Sequence, residues 1–459
     1  MTERTSGDSG APVRHLIDWS NPEFYDREKL DAEMRRVFDV CHGCRRCFNL
    51  CDSFPRLFDL IDASPTFELD GVESADFKPV VDACTLCDMC FMTKCPYVPP
   101  HEFNIDFPHL MVRHRACEHR EGKVGFVERR LADTDGNGKL AGKFVSLVNW
   151  ASSRRNRITR RLLQMLAGVH AAAELPNFRT PSFEARARKS TPVVNCSAPA
   201  SERKAVLYAT CFVNYNNPGI GEAVRAVLAR NGVETEVAYP NCCGMPQLEQ
   251  GDLARVAANA RKVSRELLSW VDKGYDVVIP VPSCALMVKF EWPLIVPDDD
   301  AVRRLSEASF DVSEYVVHIA KTEGLADGLG PLPGGVTLHV ACHARAQNMG
   351  IKAAEMLRLI PDLKLDVIER CSGHGGTWGV KAKFYDVALK VGRPVAKQAL
   401  EKANRHVASE CPLAASHVVR GMEILAADKT VGLPEDKTAR HPIELLAEAY
   451  RLHGDGASR

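Results

Sequence analysis

Beyond Lys204 the chain alternates short β-branched and apolar runs with longer segments whose apolar positions recur every three or four residues. KAVLYAT precedes GEAVRAVLARNG, ETEVAYP precedes LARVAANARKVSRELLSWVDKG, and DVVIPV precedes CALMVKF. The rhythm then repeats: GVTLHVA and ARAQNMGIKAAEMLRLI, KLDVIE and WGVKAKFYDVALKVGRPVAKQALEKA, RHVASE and CPLAASHVVRGMEIL. Strand-length runs alternating with helix-length ones predict parallel strands with helical crossovers, and two passes predict two repeated α/β domains, 204–330 and 331–459. Upstream, residues 1–35 are polar around Leu16-Ile17-Asp18-Trp19 and read as a partly ordered leader before a short helix, with no visible chemistry. Residues 36–140 favour helix. Residues 141–203 join a basic amphipathic stretch, RRNRITRRLLQML, to a segment rich in Pro, Ser, Thr and Arg, which predicts a linker wrapped on a neighbouring surface.

Composition narrows this picture. The 459 residues suffice for about three domains of roughly 150 residues each. Lysines plus arginines equal aspartates plus glutamates at 59, so no global field recruits nucleic acid. The beginning of the sequence lacks a signal peptide's apolar core, and its 17 cysteines are an odd number; both favour reduced cytoplasmic thiols over a secreted disulfide framework. No stretch reaches the roughly 18 to 20 apolar residues of a membrane span. Within residues 154–166, however, Arg154, Arg155, Arg157, Arg160 and Arg161 alternate with Ile158, Leu162, Leu163, Met165 and Leu166. That is the make-up of a helix lying in a headgroup interface, which would make the protein peripheral on the inner face of the cytoplasmic membrane. A connector helix packed on its own protein has the same composition.

The cysteines carry the chemistry. CHGCRRCFNLC (Cys41, Cys44, Cys47, Cys51) is followed after 32 residues by CTLCDMCFMTKCP (Cys84, Cys87, Cys90, Cys95). Two C-x2-C-x2-C runs, each with a trailing cysteine, have the spacing of a two-cluster ferredoxin, in which the trailing cysteine serves the other cluster. By that analogy Cys41, Cys44, Cys47 and Cys95 hold one [4Fe-4S] cluster, and Cys84, Cys87, Cys90 and Cys51 hold a second. Structural zinc also takes four cysteines, but leaves no use for the third closely spaced one in each run. The long spacer predicts helices between the motifs, hence an α-helical ferredoxin.

In the repeats, Cys211, Cys242 and Cys284 recur as Cys342, Cys371 and Cys411 at offsets of 131, 129 and 127 residues. Each follows a predicted strand, where a parallel sheet presents its carboxyl edge and ligands gather. Cys242 is followed by Cys243 and Gly244, whereas the second unit reads Cys371, Ser372, Gly373, His374. Four thiols in the first unit and three in the second suggest an additional iron–sulfur cluster in one or both, with zinc or buried thiols as alternatives. His343 and His374 lie near ligand cysteines, either completing a cluster or tuning it by hydrogen bonds. Cys117 and Cys196 read as small buried hydrophobes and His339 as a packed strand residue. The glycines of GHGG suit either close backbone approach to a bound group or an ordinary turn.

The duplicated Cys, Cys-Cys-Gly, Cys unit resembles the CCG domain of the heterodisulfide reductase B-type family. The order of an α-helical ferredoxin and two CCG domains resembles the iron–sulfur subunits of anaerobic glycerol-3-phosphate dehydrogenases and of glycolate and lactate oxidases. CFVNYNNPGIGEAVRAVL, NCCGMPQLEQGD, PSCALMVKFEWP, CSGHGGTWGVK and HPIELLAEAY carry the likeness. The resemblance implies electron transfer from a flavoprotein dehydrogenase through iron–sulfur centres towards quinone, or alternatively reduction of a disulfide or donation to a rubrerythrin-like peroxidase. The family's unit ends in a C-x2-C pair where this chain keeps Cys284 and Cys411 alone, so a five-thiolate noncubane cluster is not expected. DGNGK and GHGG do not fit G-x-G-x-x-G after a strand, so no flavin or NAD site is expected on this chain and the dehydrogenase is a separate partner.

Overall fold

The computed structural model describes residues 12–428 and 439–452. Its first layer is helical. Asp26 caps helix α1 (Arg27–Cys44) by accepting from the Glu28 and Lys29 N–H groups, and Leu30, Met34, Val37 and Phe38 form one buried stripe along it. That stripe meets α2 (Ser53–Asp62), α3 (Lys78–Ala83) and α4 (Phe107–Arg120) in an aromatic core. Phe38 lies edge-on to Phe77 at 5.1 Å, and Phe54 is 4.7 Å from Phe107.

The leader behaves differently from its sequence reading. Residues 1–11 lie outside the described residues, but the segment that follows docks through chemistry of its own. Arg14 pairs with Asp88 at 2.8 Å, Glu291 at 2.9 Å and Asp106 at 3.1 Å, and lies over the Phe91 ring. The Ile17 N–H donates to the Leu294 carbonyl and Trp19 Nε1 to that of Ile295. The helix that follows is long, beginning at Arg27 and running 18 residues.

The two predicted α/β units form two parallel four-stranded sheets. Strands β1 (Lys204–Tyr208), β2 (Glu234–Ala238), β3 (Asp276–Ile279) and β4 (Ser309–Asp311) run in the order β2-β1-β3-β4. Strands β5 (Val336–His339), β6 (Leu365–Ile368), β7 (His406–Ser409) and β8 (Ala439–Arg440) repeat it as β6-β5-β7-β8. β4 and β8 escape the sequence pattern because three and two residues are too short to show a period.

The halves exchange their last helices. The helix Val312–Thr322, which follows β4, packs on Lys352–Leu357 of the second half. The helix Pro442–Ala449, which follows β8, packs on Pro218–Arg230 of the first. Both open with a capping box, Asp311 with Glu314 and His441 with Glu444. The Tyr450 hydroxyl donates to the Ala326 carbonyl at 3.0 Å. The helix Pro442–Ala449 therefore lies between the halves, touching Pro218–Arg230 of the first and Lys352–Leu357 of the second.

From the helix Thr134–Lys143 at its start, the linker continues through Val145–Ser152 and Arg157–Ala167, crosses both halves by bridging Val169 to Lys381, and ends in a short helix, Phe183–Ala187, that buries Phe183 against Gly221. Arg160 departs from the expected solvent-facing basic stripe. It is 1% exposed, and its guanidinium donates to the carbonyls of Ser152, His170, Ala171 and Ala173.

Arg14 offsets three carboxylates withdrawn from water. Arg14→Ala is expected to lower unfolding free energy by about 3–5 kcal/mol, because a buried pair broken from one side leaves uncompensated charge. Urea unfolding of the two proteins checks this, and a loss under about 1 kcal/mol would mean that water reaches the carboxylates.

Candidate functional site

The two amino-terminal cysteine runs begin where helices end. Cys41 and Cys44 occupy the last turn of α1, which stops at left-handed Arg45, and Cys84 follows directly on α3. In the second run Leu86 and Asp88 both take positive φ, 49° and 64°, and Cys90–Lys94 winds as a π-turn. Such backbone strain in non-glycine residues persists only where surroundings enforce it and gathers at functional loops.

Neighbouring thiols of the two runs act on one another across the runs. Burial pushes the Cys41 thiol far up, with Cys95, Cys47 and Cys44 adding like-charge repulsion. Burial likewise raises Cys47 to about 11, with Cys95 and Cys44 next. Cys51 is raised by burial and then by Cys87 and Cys84; Cys90 by burial and then by Cys87, Cys84 and Cys51. The trailing cysteine of each run thus faces the other run's triplet.

In the first repeat, Cys211 opens a one-turn helix after β1, Cys242 and Cys243 follow β2, and Cys284 lies in the turn after β3. Cys211 and Cys242 Sγ atoms are 3.9 Å apart, and those of Cys243 and Cys284 3.2 Å. Gly244 takes φ +89°, which sends its N–H back to Cys242 Sγ at 3.5 Å. Hydrogen bonds from the Cys211 and Cys243 thiols hold Cys242 well below the usual thiol range. Sequence reasoning missed the cover over this set. The helix Thr134–Lys143 brings Asp135, whose Oδ2 accepts the Cys242 N–H at 2.9 Å and whose Oδ1 accepts the Tyr239 hydroxyl. DGNGK carries no signal for such a role.

In the second repeat Cys342, Cys371 and Cys411 follow β5, β6 and β7. Gly373 at φ +78° donates its N–H to Cys371 Sγ at 3.4 Å; a Cβ there would stand 2.0 Å from the Ala388 carbonyl oxygen. Burial raises Cys342, with Cys87, Cys371 and Cys411 adding repulsion, and burial raises Cys87 to about 12, with Cys371 next. The second ferredoxin-spaced loop therefore abuts the second repeat's cysteines. Glu410, also unforeseen, is 2% exposed, raised to about 8 by burial, and accepts the Ala341 N–H at 3.1 Å.

The candidate histidines are placed differently from one another. Both ring nitrogens of His343 are engaged, Nδ1 with Ser283 Oγ at 2.8 Å and Nε2 with the Leu86 carbonyl at 3.1 Å, so it ties the second ferredoxin-spaced loop to both repeats. His374 has no hydrogen bond to a cysteine; its ring lies 6.0 Å from that of His417. His339 is packed as expected, between Ser409 Oγ and the Arg370 carbonyl. Cys117 is buried, but Cys196 is exposed beyond the reach of any core, which corrects its reading as a buried hydrophobe.

Among the described residues, no group of three or more His, Cys, Asp or Glu side chains converges closely enough for a single metal ion. Clustered, buried thiols are the donor set that an iron–sulfur centre takes, and the N–H groups of Gly244 and Gly373 reach sulfur as the hydrogen bonds that tune such centres do.

A cysteine-rich domain model, CCG, matches residues 205–289 and 336–417, the two sheets with their cysteine loops. Each repeat matches that domain model across its first strands and cysteine loops. The chain is similar to a subunit of the anaerobic glycerol-3-phosphate dehydrogenase of Escherichia coli (strain K12), 28% identical over 324 residues that cover 70% of this chain and 76% of that protein. It is also similar to lactate utilization protein A of Bacillus licheniformis, 29% identical over 190 residues, 39% of this chain and 75% of that protein. Lactate utilization protein A of Bacillus cereus (strain B4264) is 28% identical over 189 residues, with the same coverage.

Where α4 meets the GHGG loop, burial pushes Glu249 up to about 7 against the pull of Arg115 and Lys381. Its folded form favours the proton relative to an unfolded glutamate near roughly 4.3. This contribution to stability is therefore full below that unfolded value and lost as pH rises through about 7. Urea unfolding followed from about pH 4.5 to about pH 8 is expected to show a decline on the order of 1–3 kcal/mol that Glu249→Gln removes; equal pH slopes for both proteins would exonerate Glu249.

Proposed function

We propose that this protein is an iron–sulfur electron-transfer subunit. It takes electrons from a separate flavoprotein dehydrogenase of glycerol-3-phosphate or 2-hydroxy acid type and delivers them towards quinone. An amino-terminal α-helical ferredoxin domain holds two [4Fe-4S] clusters, one on Cys41, Cys44, Cys47 and Cys95 and the other on Cys84, Cys87, Cys90 and Cys51. A further iron–sulfur centre is held by the CCG cysteines, with Cys342 and Cys371 the ones that neighbour Cys87. Bound there, these groups supply one-electron transfer, and the protein's own part is to exclude water, fix spacing and tune potential.

The observation that carries this reading is the proximity of Cys87 to Cys371 and Cys342. Sulfur sets packed face to face across a domain boundary suit passage of electrons and serve no purpose in three independent structural metal sites. His343 reinforces the junction by holding the Leu86 carbonyl from the second CCG domain. The similarity to one part of a dehydrogenase and to a lactate utilization protein supports a partner that oxidises a small hydroxylated substrate.

Delivery towards quinone is supported by an apolar and basic surface. Leu140, Phe144, Leu147, Trp150, Ile158, Met165 and Leu166 are each more than half exposed on three successive helices. Arg155, Arg157 and Arg161 stand beside the last of these, and no helix among the described residues is long and apolar enough to cross a membrane. The combination suits a protein lying on an anionic bilayer.

Anaerobic purification is expected to yield roughly eight irons with matching sulfide from the ferredoxin domain, and additional iron that Cys371→Ala or Cys411→Ala removes. Reduction of these centres by a co-purifying flavoprotein and its substrate completes the test. Zinc in their place, or colourless protein, would refute electron transfer.

Ile158→Glu combined with Met165→Glu is expected to weaken sedimentation with anionic vesicles about tenfold or more. Both residues are exposed, so thermal stability should stay unchanged. Wild-type protein that ignores the vesicles would dismiss the membrane surface.

A further inference from the structure

Between the linker and the second CCG domain lies a cavity of about 260 Å3. Its walls are the linker stretch 173–179, the turn after Cys211, and His374, Pro412, Ser416 and His417. His374 stands three residues beyond Cys371, and Pro412 directly follows Cys411. Two of the three cysteine-bearing loops of the second domain therefore contribute to the wall.

The cavity is polar at two points. His374 and His417 are each 8% exposed, their rings are 6.0 Å apart, and Nε2 of neither has a hydrogen-bond partner. Buried polar atoms are ordinarily paired, so two unpaired imidazole nitrogens on one cavity mark where a ligand's polar atoms belong. Leu175, Val380 and Leu413 supply apolar wall. Of the charged groups at the rim, Arg420 pairs with Glu423 at 2.8 Å and Glu174 with Arg154 at 2.6 Å, while Arg179 stands at the exposed edge of the linker wall. The volume lies just below the roughly 300–1,000 Å3 of pockets for drug-sized ligands, enough for one or two fused rings and too little for a dinucleotide.

The cavity also adjoins the apolar surface. Asn149, on the helix beside Trp150, exchanges two hydrogen bonds of 2.9 Å with the Phe178 backbone, and Arg160 donates to the Ala173 carbonyl at 2.7 Å. The linker wall is thus anchored to the helices that present apolar side chains outward.

We propose that this cavity binds the ring of a quinone-class acceptor, with the His374 and His417 imidazoles hydrogen-bonding its oxygens. The assignment rests on the electron-transfer reading above and adds to it the place where the acceptor sits and two residues that position it.

The test uses full-length, anaerobically purified, iron-loaded protein and menadione as the probe, with binding followed calorimetrically on the oxidised protein without any electron donor. Saturable one-site binding is expected, weakened about tenfold or more by His417→Leu, a change of about 1.4 kcal/mol per decade. A second variant, Leu175→Trp, enlarges a wall residue far in sequence from every cluster cysteine and should weaken binding similarly. Iron content and visible spectrum should be unchanged in both. No saturable binding to the wild type, or the same affinity in both variants, overturns the assignment. Menadione that binds as expected but is never reduced by donor-charged protein would instead defeat the electron-transfer reading; reduction with unaltered affinity in both variants would defeat only the cavity.

Discussion

Thiols packed together in a desolvated interior resist ionisation, and the rest of this structure is arranged around that resistance. Burial raises nearly every cysteine of the amino-terminal sets, and neighbouring thiols add to the penalty. A thiolate in such a place is sustained by a cation or cluster that takes the charge, so metal loading must release protons and contribute to folding. The backbone assists where it can, by turning N–H groups onto sulfur at Gly244 and Gly373. Hydrogen bonds from thiols themselves single out Cys242 as the one repeat cysteine held low.

That constraint explains why the domains are laced together. A strand end fixes one cysteine well, but several strand ends and a separate helical domain must be held in register for sets of sulfurs to face one another. The exchanged helices Val312–Thr322 and Pro442–Ala449 clamp the two sheets. The Arg14 network ties the segment before α1 to Asp88, Asp106 and Glu291 together, so that the loop beside Cys87 cannot shift without exposing or stranding charge. Lys383 reaches Asp82 at 3.1 Å, and Arg115 donates to the Val81, Cys84 and Glu249 carbonyls, adding further ties across the same boundary.

Much of this was legible in the sequence. Six of the eight strands and the helices between them announce themselves by period, and the offsets between repeated cysteines foretell their places at the sheet edges. What was hidden is tertiary. No local pattern says that Arg14 of a polar leader finds three carboxylates up to 277 residues away, that Arg160 turns inward to satisfy four carbonyls, or that Asp135 caps Cys242. Polar residues in such roles look like surface until the partner is known. The histidines mislead for the opposite reason: adjacency to cysteine suggests ligation, yet His343 spends both nitrogens on Ser283 and Leu86.

The two CCG domains began as one pattern and now differ in what covers their cysteines. The first set lies under the helix Thr134–Lys143, with Asp135 and Tyr239 closing over it and the Trp292 indole donating to the Cys243 carbonyl. Its four thiols pair among themselves. The second set has one thiol fewer, Ser372 standing where the first has Cys243. Its surroundings are a sulfur-bearing loop of the helical domain on one side and the imidazole-lined cavity on the other. Replacing a thiol with a smaller hydroxyl, 7% exposed, removes a potential ligand without opening the core to water. Duplication followed by unequal covering thus yields a first set closed over by Asp135 and Tyr239 and a second set placed between Cys87 and a ligand-sized space whose wall also takes in the turn after Cys211.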